Sequence, residues 1–343
     1  MTDPVLAAGA TPPRSPDPLP VDDIARLSAS ILERVATVVV GMGDAVELAL
    51  ATILAGGHVL FEDVPGLGKT LAARSLASAL GLDFRRLQCT PDLLPADITG
   101  SFVYAPATTE FEFRPGPVFT GLFLADEINR TSPKTQSALL EAMAEGQVTV
   151  EGRSYELPSP FHVIATANPI EYEGTYALPE AQLDRFMVRL EVGYPQRAGE
   201  AQILLNRVAR RHEVASVEAV IADRVLAGMQ AGVELVYVEP DIAGYCVDLA
   251  AATRRHQAIE VGASPRGSQG LMLLARALAV IGGRDFVTPE DVKRVAVPVL
   301  AHRISLTTQA WADGTRAVDV VTDIVAGVPG PPTAGRRPAA VGP

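Results

Sequence analysis

The sequence predicts an α/β fold: a parallel sheet sandwiched by helices, followed by a small all-helical domain. Three observations carry this. Short apolar runs at His58–Phe61, Gly121–Ala125 and Phe161–Ala167 have the length and hydrophobicity of strands in a buried parallel sheet, and Phe84–Gln88 reads as a further, more polar strand. Between the first two lies a stretch with apolar residues at helical spacing, Leu71, Ala72, Leu76 and Leu80. Beyond Tyr194-Pro195 the periodicity is helical throughout.

In chain order, residues 1–20 are rich in Pro, Ala and Asp and are expected to be disordered. Apolar positions at Ile24, Leu27, Ile31 and Val35, then at Val46, Leu50 and Ile53, predict two helices ahead of the first strand. The sheet domain is expected over residues 21–194, with two hairpin inserts near 97–117 and 147–157. In the first, Gly100-Ser101-Phe102-Val103-Tyr104 and Glu110-Phe111-Glu112-Phe113 alternate. In the second, Gln147–Val150 and Arg153–Leu157 flank Glu151-Gly152. Tyr194-Pro195 reads as a hinge into a helical lid over 195–327. Its helices are expected at about 197–212, 219–231, 239–257, 265–281 and 288–301. The last of these opens with Thr288 as cap, Pro289 and an acidic first turn. Residues 328–343 are Gly, Pro and Ala around Arg336-Arg337 and are expected to be disordered.

Chemistry enters at Glu62-Asp63-Val64-Pro65-Gly66-Leu67-Gly68-Lys69-Thr70-Leu71. A strand enters this loop and a helix leaves it, so glycine-bent N–H groups and a helix N-terminus converge on one anion. Pro65, Gly66, Leu67, Gly68, Lys69, Thr70 and Leu71 are the candidate nucleotide contacts, with Lys69 on the β- and γ-phosphates and the Thr70 hydroxyl on Mg²⁺. The general pattern wants glycine at 63, where this chain has aspartate; a Gly/Pro turn that merely carries a lysine is the plainer reading. A second acidic strand end, Asp126-Glu127, supplies a metal ligand at Asp126 and a water-activating base at Glu127, unless the pair only opens a solvated loop. Asn168, ending another apolar strand, would bond the γ-phosphate or the attacking water, or serve as a turn asparagine before Pro169.

The chain resembles the MoxR-type AAA+ ATPases. The resemblance rests on Pro91–Gly100, Gly116-Pro117-Val118-Phe119, Ala125–Arg130, Lys134–Met143, Ala165–Pro169 and Leu178–Phe186, and it covers roughly residues 25–325. That family's phosphate loop also resembles Glu-Asp-x-Pro-Gly-x-Gly-Lys-Thr, so Asp63 departs only from the general pattern. The resemblance implies an AAA+ core with a helical lid, ATP and Mg²⁺ as cofactors, Asn168 as sensor 1, and Arg185 as an arginine finger supplied across a subunit interface. Arg130 ranks below it for that contact. A local Asp184–Arg185 surface pair is the ordinary alternative for Arg185. The resemblance further implies Arg266 as the lid arginine that touches nucleotide, and partners that carry von Willebrand factor A domains. Gln88 would restrain Glu127, although a neutral polar strand end is the simpler account. Hairpins of this kind face the ring pore or a partner in AAA+ relatives, so Tyr104, Phe111 and Phe113 are candidate client contacts, or else pack on their own domain.

Composition narrows the class. A net charge of −11 and a pI near 5.0 disfavour nucleic-acid binding, which needs a basic face. Cys89 and Cys246 lack metal spacing and fit a reduced cytoplasm. No apolar run is long enough for a membrane span and no secretion signal opens the chain, so a soluble protein is expected. The expectation is a Mg²⁺-dependent, cytoplasmic ATP hydrolase, assembled as a hexameric ring, that remodels or activates partner proteins. The alternatives are the ATPase subunit of a magnesium-chelatase-like metal-insertion complex, a DNA-translocating motor, which the charge disfavours, and a non-hydrolysing nucleotide switch, which Glu127 disfavours.

Overall fold

The structure, a computed structural model, describes residues 16–169, 175–211 and 216–332. Of the tails expected at 1–20 and 328–343, residues 1–15 and 333–343 lie outside the described residues. Helix α1 (Val21–Ala36) buries Ile24, Ser28, Ile31 and Val35 along one face, and α2 (Gly43–Leu54) is buried over most of its length. Then follow β1 (Val59–Glu62), α3 (Lys69–Ala79), β2 (Phe84–Gln88), α4 (Pro95–Thr99), the hairpin β3 (Gly100–Ala105) and β4 (Glu110–Pro115), β5 (Leu122–Asp126) and α5 (Pro133–Glu145). A second hairpin, β6 (Gln147–Val150) and β7 (Arg153–Glu156), precedes β8 (His162–Ala167), α6 (Glu180–Leu183) and β9 (Val188–Leu190). The remainder is α7 (Arg197–Arg210), α8 (Asp223–Val233), α9 (Pro240–Thr253), β10 (Ile259–Val261), α10 (Pro265–Ile281), α11 (Pro289–Leu300), β11 (Ser305–Leu306), α12 (Thr308–Ala312) and α13 (Ala317–Gly327).

Five parallel strands form one sheet in the order β2-β5-β8-β1-β9. Because all five run the same way, the loops after β1, β5 and β8 leave at one edge, the edge where open α/β sheets bind ligands. Register brings Gln88 opposite Asp126, and Phe61 opposite Thr166. The lid is helical apart from a two-stranded antiparallel ribbon of β10 and β11.

Core and lid are not separately packed. One hydrophobic cluster runs from Ile24, Ile31, Leu50 and Ile53 through Leu76 to Leu271, Leu274, Val295 and Val299. The first two helices therefore join the lid as much as the sheet. Arg294 on α11 reaches Glu47 on α2 with bonds of 3.2 and 2.6 Å, and Gln230 on α8 donates to the carbonyl of Ile53 at 2.8 Å.

Leu19, placed by the sequence in a tail that runs to residue 20, is instead packed. Leu19 donates its N–H to Gly228 at 3.0 Å, and a Cβ on Gly232 would lie 2.5 Å from the Leu19 carbonyl oxygen and from Ile24. Two glycines on α8 open a groove that the segment fills. At the other end Val328 still packs on the core, its N–H bonded to Ile324 at 2.9 Å.

Both expected hairpins form. Phe113 stacks on Tyr155 at 4.0 Å with planes 18° apart, and meets Phe119 at 5.8 Å and Phe102 at 5.7 Å. Phe113 thus bolts one hairpin to the other, which corrects its reading as a client contact: an aromatic facing a second hairpin gains more from stacking than from water. Tyr104 and Phe111, 49% and 68% exposed, form an edge-to-face pair at 5.5 Å on the outer face. Both cysteines are buried, and burial pushes each thiol up to about 12.

Candidate functional site

The loop after β1 turns on Gly66 and Gly68, whose φ of 85° and 88° fall in the left-handed region. Nothing lies within 4 Å of where a Gly66 Cβ would be, so backbone conformation rather than crowding asks for glycine there. Lys69 opens α3, is 8% exposed, and donates Nζ to the main-chain oxygen of Asp63 at 2.5 Å. Burial lowers its pKa, opposed by the carboxylates of Asp63, Asp126, Glu127 and Glu62. The Asp63 carboxylate turns out of the loop, accepting from the N–H groups of Val64 at 2.7 Å, Val192 at 2.8 Å and Gly193 at 2.6 Å.

The acidic pair ends β5 beside this loop. Asp126 Oδ1 accepts from the Thr166 hydroxyl at 2.6 Å, and Oδ2 accepts from Thr70 at 3.2 Å and Arg86 Nε at 2.9 Å. Glu127 has φ 59° and ψ 50°, a left-handed conformation that costs a non-glycine residue on the order of 1–2 kcal/mol. Its N–H bond to Thr166 Oγ1, 2.8 Å, holds it there. The Glu127 carboxylate accepts from Gln88 Nε2 at 2.7 Å and Arg130 at 3.1 Å. Gln88 is therefore more than a polar strand end.

Pro65, Gly66, Gly68, Lys69, Thr70, Leu71, Asp126, Glu127 and Asn168 line one cavity of about 380 Å³, together with Arg86, Gln88, Thr166 and Ala167. Asn168 is 6% exposed; its carbonyl accepts from Asn129 Nδ2 at 3.0 Å. Leu67 lines an adjoining cavity of about 430 Å³ with Val38–Met42, Val192–Pro195 and part of α7. The two cavities meet along Pro65, Gly66, Gly68 and Leu71, so a polar chamber opens into a more apolar one. That division suits a polyphosphate joined to a flat heterocycle.

Sequence reasoning missed Arg86, Thr166 and the second chamber. Arg86 bridges Asp126 to Gln88 Oε1 at 2.7 Å and Thr166 bridges Asp126 to the Glu127 N–H. The available signal for Arg86 was its spacing, two residues before Gln88 on the same face of β2.

Two expected contacts lie away from this cavity. Arg185 donates to the carbonyl of Leu140 on α5, and its buried Nε has no hydrogen-bond partner among the described residues. Arg266, 61% exposed, sits 3.7 Å from Asp184, the residue before Arg185. Asp184 also receives Arg303 Nε at 2.8 Å and the Ser264 hydroxyl at 3.2 Å.

Comparison with known proteins gives this geometry a family. The ATPase family associated with various cellular activities (AAA) matches residues 58–188, and the AAA lid domain matches residues 251–324. Chaperone MoxR1 of Mycobacterium tuberculosis is 41% identical over 300 residues, 85% of this chain and 78% of that protein. The chain belongs to the MoxR family of AAA+ ATPases. YeaC of Bacillus subtilis is 48% identical over 307 residues, 90% of this chain and 96% of that protein. A crystal structure from Cytophaga hutchinsonii, described as a candidate ATPase, has a TM-score of 0.84 at 38% identity, covering 90% of this chain and 96% of that one. The AAA match spans every residue that lines the polar chamber, and the lid match includes Arg266. Among the described residues no helix is long and apolar enough to cross a membrane.

Proposed function

We propose that this MoxR-family protein hydrolyses ATP to ADP and phosphate with Mg²⁺ in the cytoplasm, in a hexameric ring, and uses the cycle to remodel or activate partner proteins. Partners that carry von Willebrand factor A domains are the class we favour, on family grounds. The observation that carries hydrolysis is Glu127. A backbone held in a costly conformation aims its carboxylate into the chamber that Lys69, Thr70, Asp126 and Asn168 share.

The residues present suit Mg²⁺. Among the described residues there is no cluster of three or more His, Cys, Asp or Glu that would hold a metal by itself. Thr70 Oγ1 and Asp126, 3.2 Å apart, instead offer the sparse oxygen set that this ion takes alongside phosphates and water. Bound there, it would neutralise charge on the β- and γ-phosphate oxygens. Lys69 would leave the Asp63 carbonyl for the phosphates, and the loop amides would cradle them. Glu127, released by Gln88, would orient a water and take its proton, while Asn168 would align the γ-phosphate. Arg185 lies outside its own chamber, which supports its supply to a neighbour's site, and Arg266, beside Asp184, would reach the nucleotide from the lid once the lid closes. The exposed Tyr104–Phe111 pair is the proposed client contact.

ATP hydrolysis measured across protein concentration tests this reading. Activity should rise more than linearly with concentration. Lys69→Ala, Glu127→Gln and Arg185→Ala should each lose it, with roughly 100-fold or more expected for the base. Mixing the last two variants should restore part, because mixed rings contain intact interfaces. Activity proportional to concentration, with Arg185→Ala unaffected, would end the ring reading.

A further inference from the structure

Asp63 stands where the general phosphate-loop pattern has glycine, and its bonds reach three separate parts of the protein. Its N–H donates to the carbonyl of Ala167 at 3.1 Å, the residue before Asn168. Its own carbonyl accepts from Lys69 Nζ at 2.5 Å. Its carboxylate accepts from Val64 and, through Oδ2, from the consecutive amides of Val192 and Gly193, in the connection between β9 and α7. Bonds from two amides to one ionised oxygen are of the stronger, charge-assisted kind. The loop and this connection also face each other across the second chamber.

A negative charge one turn from a polyphosphate is electrostatically unfavourable, and a glycine would let the loop close equally well. What aspartate adds is reach. We infer that Asp63 is a positioning residue: it straps the phosphate loop to the core-to-lid connection, so that a change of partner at Lys69 is passed to α7 and the lid. The coupling half rests on the ATPase reading above; the strap itself rests on geometry alone. In the present arrangement Lys69 occupies the Asp63 carbonyl. Once the Lys69 ammonium turns to a phosphate oxygen, that carbonyl is left without its donor and the peptide is free to tilt. The carboxylate on the same residue then carries Val192 and Gly193 with it. A residue that only satisfied two loop amides would hold them identically whether or not nucleotide was bound.

Hydrogen exchange resolved over residues 190–210 of the full chain tests this in wild type, Asp63→Asn and Asp63→Gly, without nucleotide and with saturating AMP-PNP, with occupancy measured on the same samples. Without nucleotide, the Val192 and Gly193 amides should exchange about tenfold faster in Asp63→Gly. Asp63→Asn should fall between, because its amide oxygen keeps one acceptor. AMP-PNP should change exchange across the connection and α7 in wild type; the change should vanish in Asp63→Gly and return in part in Asp63→Asn. Equal protection of Val192 and Gly193 in wild type and Asp63→Gly would overturn the strap. A wild-type response to bound AMP-PNP in Asp63→Gly would overturn the coupling. If Asp63→Gly fails to fold, by circular dichroism, Asp63→Asn carries both comparisons. Wild type that binds no nucleotide would refute the ATPase reading, while the nucleotide-free arm still decides the strap.

Discussion

At residue scale, Glu127 is held by two donors that a working base must shed or redirect. Gln88 and Arg130 both bond its Oε2, and Arg86 ties Gln88 back to Asp126. We expect Gln88→Ala to raise basal ATP hydrolysis about ten- to a hundredfold, the worth of one hydrogen bond to a charged group. A fall in rate would show that Gln88 holds Glu127 in its working position. Lys69, Thr70, Asp126 and Glu127 were legible in the sequence because each lies in a contiguous stretch whose flanks announce a strand end. Arg86 and Thr166 were not. They reach Asp126 from β2 and β8, and only the strand order, with Gln88 opposite Asp126 and β8 beside β5, places them there. Arg185 and Arg266 stand on resemblance, and their positions beside Asp184 became visible only in three dimensions.

At the scale of elements, the starts of β1 and β8 are pinned by two buried imidazoles. His58 Nε2 faces the Met143 carbonyl at 3.1 Å while Nδ1 receives the Val163 N–H at 3.0 Å. His162 Nδ1 faces the Gly57 carbonyl at 3.0 Å, and Nε2 meets Gln230 of α8 at 3.0 Å. Each neutral ring therefore has one donor and one acceptor in use, and an added proton would point at a donor. Both are lowered from 6.5 to about 4, chiefly by burial, with the nearby His162 adding to the shift at His58. The unfolded chain takes up these protons below about 6.5, whereas the folded chain refuses them until about 4, so stability is whole above that window and drains as pH falls through it. Urea midpoints should drop between pH 6.5 and 5, above the range where most carboxylates titrate, and His162→Gln should flatten the drop. A wild-type midpoint unchanged to pH 5 would refute this. Four of the five sheet strands and most lid helices were readable from the sequence, but β9, only three residues long, was not. The β10–β11 ribbon was not, because strands of three and two residues carry too little pattern.

At the scale of the whole molecule, the continuous core limits how the lid can move. With α1 and α2 sharing side chains with α10 and α11, closure on a ligand is expected as a small shear of packed helices rather than a wide opening at Tyr194-Pro195. The sequence suggested a break there because Pro195 interrupts the pattern; the packing that spans the break has no local signature. Shear of this size calls for site-specific probes, and the two thiols make them practical. Cys89 and Cys246 are the only cysteines in the chain, both are buried, and both titrate near 12. A maleimide or a disulfide reagent needs the thiolate and a path to it, and at neutral pH the native fold withholds both. The natural sequence should thus behave towards such reagents as a cysteine-free background: silent until denaturant is added, when two thiols per chain should react. A single surface cysteine placed on α7 or α11 could then carry a fluorophore or spin label without any native residue being removed.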